Sequence, residues 1–583
     1  MTSTIKVDTI SENTSANGVA VDGVTLKDGA VGAAGTATSV AGIPFYSADN
    51  SIYTHDVSGT DSTASFNTAY GLTAMDAITT GDRNTAIGYG AGGALTVATD
   101  CVFVGRQAGV ATTEGTNSTF VGSDAGGAVT TGLRNTMIGA AGWQFDTESD
   151  NMGIGHNALA GAVAGGEYNV AIGNYALDAL TSADYNTAIG YNAGTAITTG
   201  AKNTILGAEA GEALLSTPLN VIIGYGAGKA STTGAYNVIV GAEAVTTGVL
   251  TGNSNVIMGK GAATNATSAA ENVVIGQDAV GTGVMTSAYN VIVGKDAAKT
   301  ATSMSESIAI GYQAAEQNTA GSNVIAIGYT AYDNADTENH NLAIGTSALG
   351  GPVAGGEYNV AVGNYTLDAL TSAGGNTVMG YNAGSSVTTG GLNTLIGHQA
   401  GQDTVALTTG TGNTVIGNNS RTSVNNAANQ IVIGNDLTGV ADNRVTLGSS
   451  GGTINCSFTA NNTWTQSSDE RLKKNINEDN LGLNFINELK PVTFNWKPKS
   501  EIDSEFQATR LNKGEKDTET LIHGLIAQDV KKAMNKVGND TFNGWSESKD
   551  GQEISREMFI TPLINAVQEL SATVTTLQQE IKI

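Results

Sequence analysis

Asn84-Thr85-Ala86-Ile87-Gly88 is the stretch whose reading decides the fold. It returns as Asn135-Thr136-Met137-Ile138-Gly139, Asn186-Thr187-Ala188-Ile189-Gly190, Asn237-Val238-Ile239-Val240-Gly241 and Asn413-Thr414-Val415-Ile416-Gly417. Gly88, Gly105, Gly122 and Gly139 are evenly spaced, and so are Gly190, Gly207, Gly224 and Gly241. The step is about 17 residues, and about two dozen copies run from Asn50 to Gly448. A short period sustained this long predicts a solenoid, in which each coil buries itself against its neighbours and no single globular core is needed. The fold class that follows is mainly β: a long parallel β-roll over residues 45–448.

Each coil reads as two short strands and two turns. The first strand is Asn-x-x-Ile/Val-Gly, and its Gly permits a sharp corner at positive φ. A small residue follows, as in Ala91, Ala108 and Ala125. The second strand is Thr-rich, as in Ala77-Ile78-Thr79-Thr80. Asn suits the turn before the strand, and its side chains, stacked once per coil, predict a ladder. Counting from Asn, positions +1 (Thr or Val) and +3 (Ile, Val or Leu) are expected to fill the coil. Position +2 is apolar as well: Ala86, Phe103, Phe120, Met137, Ile239, Ile257, Val378. A strand apolar on both faces is buried on both. That predicts side-by-side solenoids in a homo-oligomer, with +2 facing the neighbouring chain.

A longer copy supports repetition. Gly161 to Val170 returns as Gly351 to Val360, an offset of 190 residues, about eleven coils. Upstream of the repeats, Ile5/Val7, Val19/Val21 and Val24/Leu26 read as short strands, and residues 29–43 as a Gly/Ala/Thr-rich connector. Together residues 1–44 are a candidate attachment region.

Composition narrows the function. The net charge is −26 in 583 residues, which argues against a nucleic-acid partner and fits a self-repelling, soluble surface. Cys101 and Cys456 lack metal-type spacing and read as isolated thiols. No apolar run reaches membrane-helix length, and the N-terminus has no signal-peptide core. Synthesis in a cytosol without Sec export is the expectation. No cofactor and no metal is implied.

One boundary is sharp. Charged residues are roughly one in ten through Ser468 and roughly three in ten from Asp469 onward. Residues 449–467, with Ile454, Phe458 and Trp464, read as a β neck. In Ser468-Asp469-Glu470-Arg471-Leu472-Lys473, a Ser lies five residues before a Lys. Such a pair can act as nucleophile and general base if the Lys is desolvated. Leu483 to Leu489 reads as a helix, Pro491 as its break and Val492 to Trp496 as a strand, while His523 to Val530 opens a second helix. Ile560, Leu563, Val567, Leu570, Val574, Leu577 and Ile581 alternate in steps of three and four, a coiled-coil seam.

Three resemblances rest on the residues quoted. The Asn-x-x-Ile-Gly-x-x-Ala repeats resemble the heads of YadA-like trimeric adhesins, which implies three rolls packed together. Residues 468–583 resemble the C-terminal intramolecular chaperone, a self-cleaving peptidase domain, of phage tail spikes and fibres such as endosialidases; a related domain occurs in myelin regulatory factors. That resemblance implies trimerisation driven from the C-terminus and cleavage between Ser468 and Asp469. It makes Ser468 the nucleophile and Lys473 its base, with Asp469 and Arg471 completing the motif and His523 in a matching segment. The opening residues Ser3 to Gly29 are similar to the start of tail-fibre-like proteins of marine phages.

The function expected is therefore a structural and adhesive phage tail fibre, made in the host cytoplasm and carried on the virion. Its partners are two identical chains, a host-surface receptor of glycan or outer-membrane nature, and the phage tail or baseplate through the N-terminus. A glycan-depolymerising tail spike is the first alternative; it needs paired carboxylates in a cleft. A bacterial trimeric surface adhesin is the second. The only enzymatic activity expected is self-cleavage.

Overall fold

The computed structural model describes the backbone of strands Val19–Val21, Val24–Leu26, Thr38–Val40 and Ile43–Ala48, and residues 50–582 except 55–61, 141–145, 162–163, 403, 459–463, 466–469, 471–472, 498–500, 502–518, 520 and 549–550. It divides into two compact units, residues 1–467 and 468–583. The run Ile5/Val7 lies outside the described residues.

In the first unit, twenty-four strands from Ser51–Tyr53 to Arg444–Ser449 pair in parallel, each with the next in sequence. All but the last few are three residues long. Register advances once per repeat: Thr187 pairs with Thr204, and Thr204 with Val221. At the usual strand spacing the ladder is about 110 Å long. Antiparallel strands bound it at both ends. Ile43–Ala48 pairs with Ser51–Tyr53, and Arg444–Ser449 with Gly452–Ser457. A hairpin, Val19–Val21 with Val24–Leu26, stands where two short strands were expected. The stretch read as a connector contains strand Thr38–Val40, paired with Ile43–Ala48.

Each coil has one strand where two were expected. The Thr-rich segment is turn and bend: Thr73 and Met75, at positive φ, turn the chain just before Ala77-Ile78-Thr79-Thr80, which forms no strand. The Thr side chains still join the coils. Thr79 Oγ1 donates to the Thr96 carbonyl at 3.0 Å, and Thr96 Oγ1 to the Thr113 carbonyl at 3.1 Å.

The predicted Asn ladder is present and fully buried. The Asn203 N–H donates to Asn186 Oδ1 at 3.0 Å, and the Asn220 N–H to Asn203 Oδ1 at 2.9 Å. Asn203 Nδ2 donates to the Thr217 carbonyl at 3.0 Å. One amide thus satisfies backbone groups at the corner of the next coil, which would otherwise be orphaned in the interior. Cys101 replaces Asn in one coil. Its thiol sits against the Gly115 carbonyl, and burial pushes its pKa up to about 11.

The ladder fixes which face is inside, and the assignment of faces is the reverse of the one expected. Asn is inside, so by the two-residue period of a strand +2 is inside and +1 and +3 are outside. Ala86, Phe103, Phe120, Ile239 and Val415 at +2 are buried. At +1 and +3 the side chains are half-buried or exposed, as for Val102, Ile87 and Ile138. At +2 the interior holds Ala in eight of the twenty-four strands and Ile, Val or Leu in ten, so it takes side chains of several sizes. Where Phe103 and Phe120 enter, they stack at 5.2 Å, and Gly109 and Gly126 make room: a Cβ at either would meet a Phe ring.

The 190-residue copy extends to a buried carboxylate. Glu148 accepts the N–H groups of Asp146, Thr147 and Gly165 at 3.0, 3.1 and 2.8 Å. Glu338 does the same for Asp336, Thr337 and Gly355 at 3.2, 3.1 and 2.8 Å.

Asp333 carries a pH prediction. Burial pushes its carboxyl up to about 6, and the nearby charge of Glu316 adds to the effect, against hydrogen bonds from its own backbone and from Asn334. A carboxyl raised in the folded state favours folding at low pH and loses that advantage as pH rises through the folded value. Asp333→Asn should therefore stabilise the local coils at pH 7.5 by about 1–2 kcal/mol after solvent screening, and by almost nothing near pH 4. Thermal melts of both proteins across pH 4–8 check this: the two curves should converge on acidification.

Candidate self-cleavage and assembly site

The second unit is built on a small core of Leu481, Phe485, Val530, Ala533, Met534 and Phe542. The rings of Phe485, Phe542 and Phe559 lie 4.9–6.2 Å apart. Helix Leu483–Glu488 has no capping side chain of its own. Glu569, from helix Ile560–Ile581, supplies the carboxylate: Oε2 accepts the Leu483 N–H at 2.8 Å. A negative charge there suits both the free N–H groups and the helix dipole. Asn565 Nδ2 donates to the carbonyls of Asp479 and Leu481, each at 3.1 Å. One side of the long helix is docked in this way.

Its other side is unpartnered. Ile560, Leu563, Val567, Leu570, Val574, Leu577 and Ile581 are all exposed, whereas Pro562 and Ala566 are buried. Seven aliphatic side chains at coiled-coil spacing, all in water, are what a helix shows when its partner helices are absent. Among the described residues no helix is long and apolar enough to cross a membrane.

Pro491 ends the first helix as expected, and strand Val492–Phe494 follows. That strand pairs antiparallel with Ile522–Gly524, Thr493 facing His523. His523 therefore lies on a strand and not in the helix expected to open there. The pairing holds 522–524 extended, and the helix begins at Ala527. Beyond it, Lys536 pairs with Glu488 at 2.6 Å and Lys531 lies over the Trp545 ring at 4.3 Å.

His523 is exposed at the mouth of a shallow pocket, with Gly524, Leu525, Ile554, Arg556 and Phe559. A Cβ at Gly524 would lie 3.1 Å from the Phe494 ring and 3.3 Å from Arg556 Nη2, so a side chain there would crowd both. Imidazole and guanidinium at one mouth can donate hydrogen bonds to a carboxylate or a polarised carbonyl. Arg556 is 33 positions from His523, and no motif in the sequence links the two.

Of the other candidates, Ser468, Asp469 and Arg471 lie outside the described residues. Lys473 is exposed, its N–H donating to the Glu470 carbonyl at 3.0 Å, and it is not among the residues lining the His523 pocket. A lysine acting as base must shed water. An exposed Lys473 does not meet that condition within a single chain.

Comparison with known families bears on the same segment. Residues 468–539 match the family model Peptidase S74, described as chaperone of endosialidase. Comparison with curated proteins gives no match. A long β-solenoid thus precedes a C-terminal segment similar to the chaperone of endosialidase, an organisation that supports a fibre- or spike-like protein with an intramolecular chaperone.

Proposed function

We propose that this protein is a homotrimeric phage tail fibre that attaches the virion to its host, and that its C-terminal chaperone sets the register of the three solenoids and is then cut off between Ser468 and Asp469. The observation that carries the reading is the outward face of the ladder. From strand Thr68–Tyr70 through the rung beginning at Ile431, no first or third strand residue is charged, although the chain's net charge is −26. An uncharged stripe running the whole ladder, largely aliphatic and rimmed by water, exceeds what a lone soluble chain exposes and suits sister solenoids.

Parallel solenoids have many near-equivalent registers, since a slip by one coil exchanges like for like. A nucleus at the C-terminus removes the ambiguity before the outward faces meet. The unpartnered seam of the long helix supplies that nucleus, and assembly around it would take the water from Lys473. Cleavage then removes the route back and leaves a kinetically trapped fibre. The N-terminal region docks to the particle in this reading.

Gel analysis of wild type beside Ser468→Ala tests the cleavage. Wild type should release residues 469–583 as a fragment of roughly 12–13 kDa, and the variant should remain full-length. An uncut wild type would leave the domain as a chaperone without peptidase activity.

A further inference from the structure

The solenoid carries an aromatic constellation twice. Tyr175 and Tyr191, on successive coils, meet edge to face with centroids 6.1 Å apart at 87°. Tyr365 and Tyr381, 190 residues on, meet at 6.0 Å and 87°. Each pair is extended by a histidine on an adjoining coil: His156 lies 5.5 Å from Tyr175, and His398 stacks on Tyr381 at 5.6 Å and 12°. The two histidines enter from opposite ends, so the second is not a copy of the first. Tyr191, Tyr365 and Tyr381 are exposed, between 39 and 50 %.

Along the chain the same polar residues recur at each pair. Asn174 precedes Tyr175 as Asn364 precedes Tyr365; Asn192 follows Tyr191 as Asn382 follows Tyr381; Asp178 and Asp368 lie three residues beyond the first tyrosine. Elsewhere the copies have diverged: Tyr185 is matched by Gly375, and Ala176 by Thr366. Asp368 Oδ1 is buried with no hydrogen-bond partner, and burial raises the carboxyl's pKa. In the first copy Asp178 accepts from Thr195 Oγ1.

Exposed tyrosine faces with adjoining asparagine amides are chemistry for a pyranose. The C–H face of the ring stacks on an electron-rich aromatic face, and its hydroxyls need donors and acceptors at the rim. A net charge of −26 disfavours a polyanionic glycan. We infer that Tyr175/Tyr191 and Tyr365/Tyr381 form two related subsites for a neutral saccharide, with the neighbouring Asn192 and Asn382 serving its hydroxyls. The inference rests on the attachment reading and names the class of receptor.

The test uses the full-length protein, with calorimetric titration of neutral hexasaccharides of glucose, galactose and mannose, and an oligomer of sialic acid as the acidic arm. At least one neutral sugar should bind with two sites per chain. Tyr381→Ala should remove one of the two sites, and Tyr191→Ala with Tyr381→Ala should weaken binding at least tenfold. Tyr191→Phe with Tyr381→Phe should retain it, since the stacking faces remain. Light scattering and circular dichroism identical to wild type exclude misfolding of the variants. Absence of neutral-sugar binding, binding only of the acidic oligomer, binding unchanged in the double alanine variant, or protection of these tyrosines from solvent iodination in the assembled protein would each overturn the inference. Host-cell adhesion separates the two readings. Adhesion by wild type and double variant alike sinks the subsites and leaves attachment standing, whereas failure of wild type to adhere sinks attachment itself.

Discussion

Gly207→Ala is expected to break the solenoid at one coil. Gly207 has φ +136°, and a Cβ there would collide with the carbonyl of Gly224 in the next coil. Neither party can move: the Gly207 N–H is already bonded to the Ile189 carbonyl at 2.8 Å, and the Gly224 N–H to the Leu206 carbonyl at 2.8 Å. The strained φ and the displaced ladder together should cost at least about 3 kcal/mol locally. A solenoid's stability is a sum over coils and their interfaces, so the damage should stay near the site as a weak point. Hydrogen exchange should show amides of residues 187–225 losing protection, with coils near residue 400 unaffected. Gly452→Ala is the control, because nothing lies within 4 Å of its Cβ position; it should be neutral. A Gly207→Ala protein with wild-type protection throughout would mean that the corner is not as close-packed as described.

A second pair of variants separates the two faces of a strand. Ile239 is buried, whereas Val240 beside it is half-buried and faces outward. Ile239→Glu places a charge inside the coil without a partner and should unfold the neighbouring coils, lowering the local stability by more than about 4 kcal/mol. Val240→Glu should leave the circular dichroism unchanged, and act on association alone. In the proposed trimer it would put three like charges against one another along the outward stripe. Light scattering should then show loss of trimer or a marked fall in its thermal stability. If Val240→Glu unfolded the chain and Ile239→Glu did not, the faces would be those expected from hydrophobicity alone.

Much of this was legible in residue order. The Gly and Asn spacing gave the coil, its repeat and the parallel ladder, because a solenoid's period is written directly along the chain. The Asn ladder was visible for the same reason. The heptads of the last helix and the Pro491 break depend on local chemistry, and both stand in the structure. Arg556 beside His523 was not legible: their approach depends on a strand pairing and a hairpin that bring distant segments to one pocket.

What only the tertiary structure decided was which side of each strand is the inside. Thr or Val at +1 with Ile, Val or Leu at +3 offers two side chains per strand against one at +2, so a count of apolar positions puts +1 and +3 in the core. The coil overrides that count. Its interior must hold an Asn amide to satisfy the backbone at each corner, and the alternation of a strand then carries +2 inward with it and +1 and +3 out. Sequence alone determined that both faces of the strand are apolar; the cost of leaving buried backbone groups unpaired decided which of them faces outward.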